Sequence, residues 1–97
     1  MSAPQALEAC FTVGAELGLH ARPAGEFVAL AGRFVARIEV GCRDEWVDGR
    51  SILSLLSLGA RRGTQLRLRV EGDDADAAIS ALGALLERPT PAESGRT

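Results

Sequence analysis

The chain has 97 residues, of which 46% are hydrophobic and 25% are charged, and its formal net charge is −2. This length suffices for one hydrophobic core and is too short for two, so we expect one globular domain. The acidic balance argues against a nucleic-acid-binding protein, which normally presents a net basic face, and the apolar runs are too short to cross a bilayer.

The amino-terminal segment and the two cysteines predict the compartment. Residues 1–7 lack the basic start and the apolar core of a signal peptide, so we expect a cytoplasmic protein. In a reducing compartment Cys10 and Cys42 would be free thiols. We expect the domain to cover residues 8–88, with flexible termini at residues 1–7 and 89–97.

The first predicted element is a short strand over residues 9–13, because apolar and polar side chains alternate there. Phe11 and Val13 would face the core. A loop over residues 14–19 then leads to His20, which is the only histidine of the chain.

A helix is predicted to begin at about Ala21, because Pro23 would lie within its first turn. Proline has no N–H group and a nearly helical φ, so helices tolerate it there and rarely further in. His20 would lie at or just before the N-cap. Helical spacing of apolar residues continues over residues 22–33, and Gly32 is the expected stop. The apolar stripe of this helix consists of Pro23, Phe27, Leu30, Ala31 and Phe34.

Alternation predicts a second strand over residues 35–40, followed by a turn over residues 41–44 and a short strand over residues 45–47. Trp46 and Val47 cannot both lie on one face of a strand, so one of them should be a partly exposed apolar residue. The inward side chains of the second strand would be Ala36, Ile38 and Val40.

A short helix is predicted over residues 51–58, because Ser51 is a favourable N-cap before an apolar run and Gly59 suits its C-terminal side. Its apolar side chains surround nearly the whole helix: Ile52, Leu53, Leu55, Leu56 and Leu58. Since a core-facing helix needs one stripe, we expect either exposed groups that form a partner surface or a neighbouring loop that covers them.

The last two predicted elements are a strand over residues 65–71 and a helix capped by Asp73 and ended by Pro89. The polar face of this strand implies an antiparallel sheet with one side open to water. Asp74 and Asp76 would lie in the first turn of the helix. The buried helix stripe would consist of Ala75, Ala78, Ile79, Leu82, Leu85 and Leu86. One sheet covered on one face by helices buries every stripe, so we predict a two-layer α+β domain.

His20 lies where the sequence favours an anion. The first N–H groups of a helix have no internal partner, and the helix dipole adds partial positive charge. An anion attached to His20 would meet the N–H groups of Ala21 and Arg22, close to the Arg22 guanidinium. Gly18 would let the chain turn sharply before it. The alternative is a surface or cap histidine without chemistry.

Other chemistry is poorly supported. A catalytic triad would need a second histidine or a nearby cysteine, and neither exists around His20. Two widely separated cysteines and one histidine lack the paired spacing of zinc sites. We therefore predict no metal and no cofactor, and a histidine that binds or carries an anion.

Two segments resemble the signatures of a known family. Residues 18–24, Gly-Leu-His-Ala-Arg-Pro-Ala, resemble the active-site signature of HPr, the histidine phosphocarrier family of the bacterial phosphotransferase system. Residues 48–59, which run from Asp-Gly-Arg-Ser-Ile to Ser-Leu-Gly, resemble the second signature, around the regulatory serine of the family. The likeness extends over residues 9–88.

The resemblance implies an open-faced antiparallel sheet of four strands in the order 1-4-2-3, with three helices on one side. It implies a monomeric carrier, not a stand-alone enzyme, in which His20 accepts a phosphoryl group on Nδ1 from enzyme I. His20 would pass that group to enzyme IIA domains, while Arg22 neutralises the phosphate. Ser51 matches the serine that HPr kinase/phosphorylase modifies. The apolar docking patch would consist of Ile52, Leu53 and Leu56.

Two departures from the family concern the helices. Several members carry lysines on the first two helices, which help to dock acidic partners. The corresponding surfaces of this chain offer Ala29, Gly32 and Ser54, with Arg33 and Arg50. Gly25 also replaces the alanine, serine or threonine that is usual in the family.

Three functions stay open at this point. The first is the phosphocarrier, and the second is a regulatory module that acts through phosphorylated Ser51. The third is a branch that serves nitrogen or general metabolic regulation. Regulatory paralogues of HPr lose the histidine, so the intact His20 favours the carrier.

Overall fold

The structure is a computed structural model that describes residues 6–89. Its elements are, in chain order, β1 (Ala6–Thr12), α1 (Ala21–Ala31), β2 (Arg37–Cys42), β3 (Glu45–Asp48), α2 (Ile52–Ser57), β4 (Gln65–Glu71) and α3 (Ala75–Glu87). Of the predicted flexible termini, residues 1–5 and 90–97 lie outside the described residues, whereas Ala6 and Leu7 belong to β1.

The four strands form one antiparallel sheet in the order β1-β4-β2-β3. Helix α3 packs on β1 and β4, α2 packs against β3, and α1 contacts both other helices. The predicted α+β, two-layer open-faced sandwich is therefore confirmed. The face opposite the helices is called the open face below.

The core lies between the sheet and the helical layer. Period-2 alternation turns every second side chain of β2 and β4 toward the helices, where Ile38, Val40, Leu66, Leu68 and Val70 are buried. The helices contribute Phe27, Leu55 and Leu82, which are also fully buried. Burial of each large side chain stabilises the fold by about 1.5–3 kcal/mol.

The bounds of β1, β2 and β3 differ from the prediction by one to three residues. β1 begins at Ala6, three residues earlier than its predicted start, because Ala6 pairs with Glu71 at the end of β4. β2 continues to Cys42, which the sequence placed in a turn. The thiol of Cys42 is buried in the core, so the turn starts only at Arg43, whose φ is 57°.

The cysteines are unpaired, as predicted. Cys42 is buried, and Cys10 is exposed on the open face opposite Arg67 of β4. Both thiols are free.

The predicted cap of α3 was wrong by one residue. Asp74, not Asp73, is the N-cap, and its carboxylate makes no side-chain capping bond. It instead accepts hydrogen bonds from the N–H groups of Val35 and Ala36, each at 2.9 Å. Asp74 thus holds the loop between α1 and β2 against the start of α3.

Arg50 holds the other side of that loop. Its guanidinium donates to the carbonyl oxygens of Ala31, Phe34 and Ala36 at 2.8, 2.7 and 2.7 Å. A cation is favourable at a helix C-terminus, where carbonyl groups lack helical partners. Arg50, which directly precedes Ser51, therefore ties the N-terminal side of α2 to the end of α1.

Trp46 lies on the open face, opposite Gly41 of β2. A Cβ atom at Gly41 would lie 2.9 Å from the indole, so the ring covers the glycine. The guanidinium carbons of Arg69 and Arg67 lie 3.9 and 4.7 Å from the ring centroid, at cation–π distances. Val47 points the other way and packs against the core. Both residues are half-buried, and Trp46 is the one that faces the open side of the sheet.

Candidate functional site

His20 is the N-cap of α1, as predicted. Its backbone is extended, with φ −90° and ψ −170°, and its carbonyl accepts the first helical hydrogen bond, from the N–H of Ala24 at 3.0 Å. The imidazole makes no side-chain capping bond and is half-buried. The imidazole therefore takes no part in capping the N-terminus of α1.

The first residues of α1 form the end of the helix next to His20. Ala21 and Arg22 are exposed, whereas Pro23 is buried. Amide groups in the first turn point out of the helix end, and the dipole places partial positive charge there. An anion on His20 would therefore lie at the end of α1 where the N–H groups of Ala21 and Arg22 are exposed, and its contact with the Arg22 guanidinium stays a prediction.

A second segment anchors the loop that carries His20. The N–H of Val13 donates to the Thr64 carbonyl at 2.9 Å, and the N–H of Gly63 donates to the Val13 carbonyl at 2.8 Å. At the other end of the loop, the N–H of Leu19 donates to the Ala60 carbonyl at 2.9 Å. Both ends of the loop are thus attached to residues 60–64. These hydrogen bonds between distant segments were not predicted from the sequence, because no local pattern signals them.

Gly18 makes the closest approach between the two segments. Its φ is 77°, which side chains rarely adopt, and a Cβ atom there would lie 2.4 Å from the Ala60 carbonyl oxygen. Its own carbonyl accepts the N–H of His20 at 2.9 Å. The glycine is therefore required by both conformation and space.

Ser51 is the N-cap of α2, as predicted. Its Oγ accepts a hydrogen bond from the N–H of Ser54 at 3.2 Å, which satisfies one amide of the first turn. The residue is half-buried. Its hydroxyl has a sufficient structural role, and any modification would occur at a helix N-terminus.

The predicted docking patch is only partly exposed. Leu53 is 76% exposed and Ile52 is 38% exposed, whereas Leu56 is half-buried and packs against the core. Leu55 and Leu58 are buried. Of the two alternatives that the sequence left open, the structure therefore favours exposed apolar groups at Ile52 and Leu53.

The patch adjoins the helix that His20 begins. The Cδ1 atom of Ile52 lies 3.6 Å from the position that a Cβ of Gly25 would take, which is an ordinary van der Waals distance. Space therefore does not require a glycine at this position. Leu17, in the loop before His20, is 76% exposed and was not singled out from the sequence.

Within residues 6–89, no three His, Cys, Asp or Glu side chains are grouped so that they could hold a metal ion. In the same part of the chain, no helix is long and apolar enough to span a membrane.

Known proteins share the sequence of this domain. The family model "PTS HPr component phosphorylation site" matches residues 7–88. Phosphocarrier protein HPr of Pseudomonas aeruginosa is 45% identical over 76 residues, which cover 77% of this chain and 84% of that protein. These matches define a phosphocarrier of the phosphotransferase system. The chain belongs to the HPr family.

Solved structures agree with this assignment. A phosphocarrier protein HPr of Bacillus anthracis superposes with a TM-score of 0.81 at 34% identity, covering 84% of this chain and 96% of that one. Crh, a catabolite repression protein of Bacillus subtilis solved as a domain-swapped dimer, gives a TM-score of 0.69 at 35% identity. That comparison covers 74% of this chain and 83% of Crh.

Proposed function

We propose that His20 accepts a phosphoryl group from enzyme I, which phosphoenolpyruvate has charged, and donates it to enzyme IIA domains. The observation that carries this proposal is the position of His20 at the N-cap of α1, with an imidazole that takes no part in capping. The chain would be a cytoplasmic monomer when it binds these partners and HPr kinase/phosphorylase.

The proposed transfer needs little covalent chemistry from the carrier. As the bond between Nδ1 of His20 and phosphorus forms, the nitrogen–phosphorus bond of the donor histidine breaks, and donation reverses these roles. Such in-line transfer depends on positioning and on stabilisation of charge. The first amides of α1 and the guanidinium of Arg22 would supply that charge.

The test is incubation of the protein with phosphoenolpyruvate and enzyme I, followed by measurement of the intact mass. We expect a gain of one phosphoryl group that is lost on mild acid treatment, as a phosphohistidine would be. A reaction without enzyme I is the control. No gain in mass would refute the proposal, and an acid-stable gain would place the group on a hydroxyl.

Arg22→Ala is expected to leave the fold intact and to slow phosphoryl transfer at least roughly tenfold, because a charge-assisted contact with the phosphate is lost. Rapid-quench measurements with enzyme I and with an enzyme IIA domain give the two rates. Unchanged rates in both directions would show that the backbone amides suffice.

A second candidate function is regulation through Ser51. Two observations favour it: Ser51 begins the helix that carries the exposed Ile52 and Leu53, and the fold is similar to that of Crh, a catabolite repression protein. A phosphate on Ser51 would be tolerated by the helix dipole. It would, however, place charge beside apolar groups that a partner must cover.

Ser51→Asp is expected to fold normally and to accept phosphate from enzyme I more slowly, mainly through weaker binding. Steady-state kinetics would show a raised KM. Ser51→Ala is the matched control, which should lose about 1 kcal/mol of stability with the cap and keep nearly parental kinetics. If Ser51→Asp reacts at the parental rate and HPr kinase/phosphorylase leaves the protein unmodified, Ser51 is only a cap.

A further inference from the structure

The turn over residues 60–64 places two arginines next to the histidine loop. The N–H of Arg61 donates to Oγ1 of Thr64 at 3.1 Å, and the N–H of Thr64 donates to the Arg61 carbonyl at 2.9 Å. Gly63 completes the turn with a φ of 88°. Arg61 and Arg62 are both exposed. The backbone of this turn is therefore fixed, while its two cationic side chains face solvent.

The turn lies directly against the segment before His20. A Cβ atom on Gly18 would lie 2.9 Å from Cα of Arg61, so the two backbones are in contact. Gly18 in turn accepts the N–H of His20, and Leu19 donates to Ala60. These contacts hold the backbone of the turn against the histidine loop, so Arg61 and Arg62 extend from backbone positions next to that loop.

The charge around His20 is opposite in sign to that of the whole chain. The chain carries a net −2, yet the histidine loop, the start of α1 and the turn contain Arg22, Arg61 and Arg62 with one carboxylate, Glu16. Within residues 6–89, the guanidinium groups of Arg61 and Arg62 make no ion pair with a carboxylate. Elsewhere on the described surface Arg69 and Arg88 are paired, whereas Arg37 and Arg43, on and beside β2, are in no ion pair, like the two arginines of the turn.

We propose that Arg61 and Arg62 form a cationic docking site for an acidic surface next to the phosphohistidine of the donor protein. The inference rests on the proposed function and adds to it the part of the surface that recognises charge. The turn begins three residues after the end of α2, so the docking surface would have an apolar side at Ile52 and Leu53 and a cationic side at the turn. The missing helix lysines would thus be replaced by arginines on a loop.

Charges at the rim of an interface act mainly on the rate of encounter and on its dependence on salt. We therefore expect Arg61→Gln/Arg62→Gln to raise the KM for phosphorylation by enzyme I roughly tenfold at low ionic strength, with kcat unchanged. The difference should shrink above about 0.1 M salt, where the Debye length falls to about 10 Å.

The matched control is Arg37→Gln/Arg43→Gln, which removes the same charge from exposed positions on and beside β2. It should keep the parental KM. Equal KM values for the two double variants at low salt would overturn the inference. A lower kcat at unchanged KM would also overturn it, because the arginines would then act on the transferring group.

Calorimetric titration with enzyme I, without phosphoenolpyruvate, separates this inference from the proposed function. A parent protein that binds enzyme I but takes no phosphoryl group refutes the function alone. Docking at the turn is refuted if the Arg61/Arg62 double variant binds enzyme I as tightly as the control. A parent protein that does not bind enzyme I refutes both.

Discussion

His20→Ala is expected to take up no phosphoryl group from phosphoenolpyruvate and enzyme I. His20 is the only histidine of the chain, so its loss removes the only imidazole that could form the nitrogen–phosphorus bond. Transfer should fall to the background seen without enzyme I, a larger effect than any charge substitution around the site produces. Intact-mass measurement after incubation reports the result directly.

The control for this variant is its fold. Because the imidazole makes no capping bond and is only half-buried, His20→Ala should change the free energy of unfolding by less than about 1 kcal/mol. Urea unfolding of the two proteins would verify this. Phosphorylation that survives in a folded His20→Ala variant would contradict the assignment of the site.

Gly18→Ala is expected to be strongly destabilising. An L-residue at a φ of 77° is strained by about 1–2 kcal/mol, and the methyl group would lie 2.4 Å from the Ala60 carbonyl oxygen. Relief of that overlap should cost a further 1–3 kcal/mol or so. We expect the free energy of unfolding to fall by roughly 3 kcal/mol, and the rate of phosphoryl uptake to fall as well.

Gly59→Ala separates the two causes. Gly59 also has a positive φ, 61°, but nothing lies within 4 Å of the Cβ position. This variant should therefore show only the strain, a loss of about 1–2 kcal/mol, and keep the parental transfer rate. Equal losses in the two variants, measured by urea unfolding, would mean that the contact between Gly18 and Ala60 contributes nothing.

Local signals in the sequence predicted most of the elements. Alternation predicted β4 with its observed bounds, and the serine before an apolar run correctly marked the N-cap of α2. The cap of α3 could not be assigned in this way, because Asp73 and Asp74 are adjacent and chemically equivalent. The choice depends on the amides of Val35 and Ala36, which are nearly forty residues away.

The candidate site was predicted in part. Proline and histidine spacing located His20 and the start of α1, because a helix end is a local feature. The contact of Gly18 with the turn at Ala60 and Arg61 joins segments about forty residues apart, and no periodicity reports it. The three carbonyl contacts of Arg50 were missed for the same reason.

The packing of Trp46 determines what an optical experiment on this protein can report. It is the only tryptophan and the chain has no tyrosine, so near-ultraviolet emission comes essentially from one point on the open face. Unfolding separates the indole from the two guanidinium groups that flank it, and its emission must then change. A partner bound on the helical side leaves the surroundings of the ring in place. The fluorescence of this tryptophan therefore reports folding, and docking at Ile52 and Leu53 as proposed is expected to leave it unchanged.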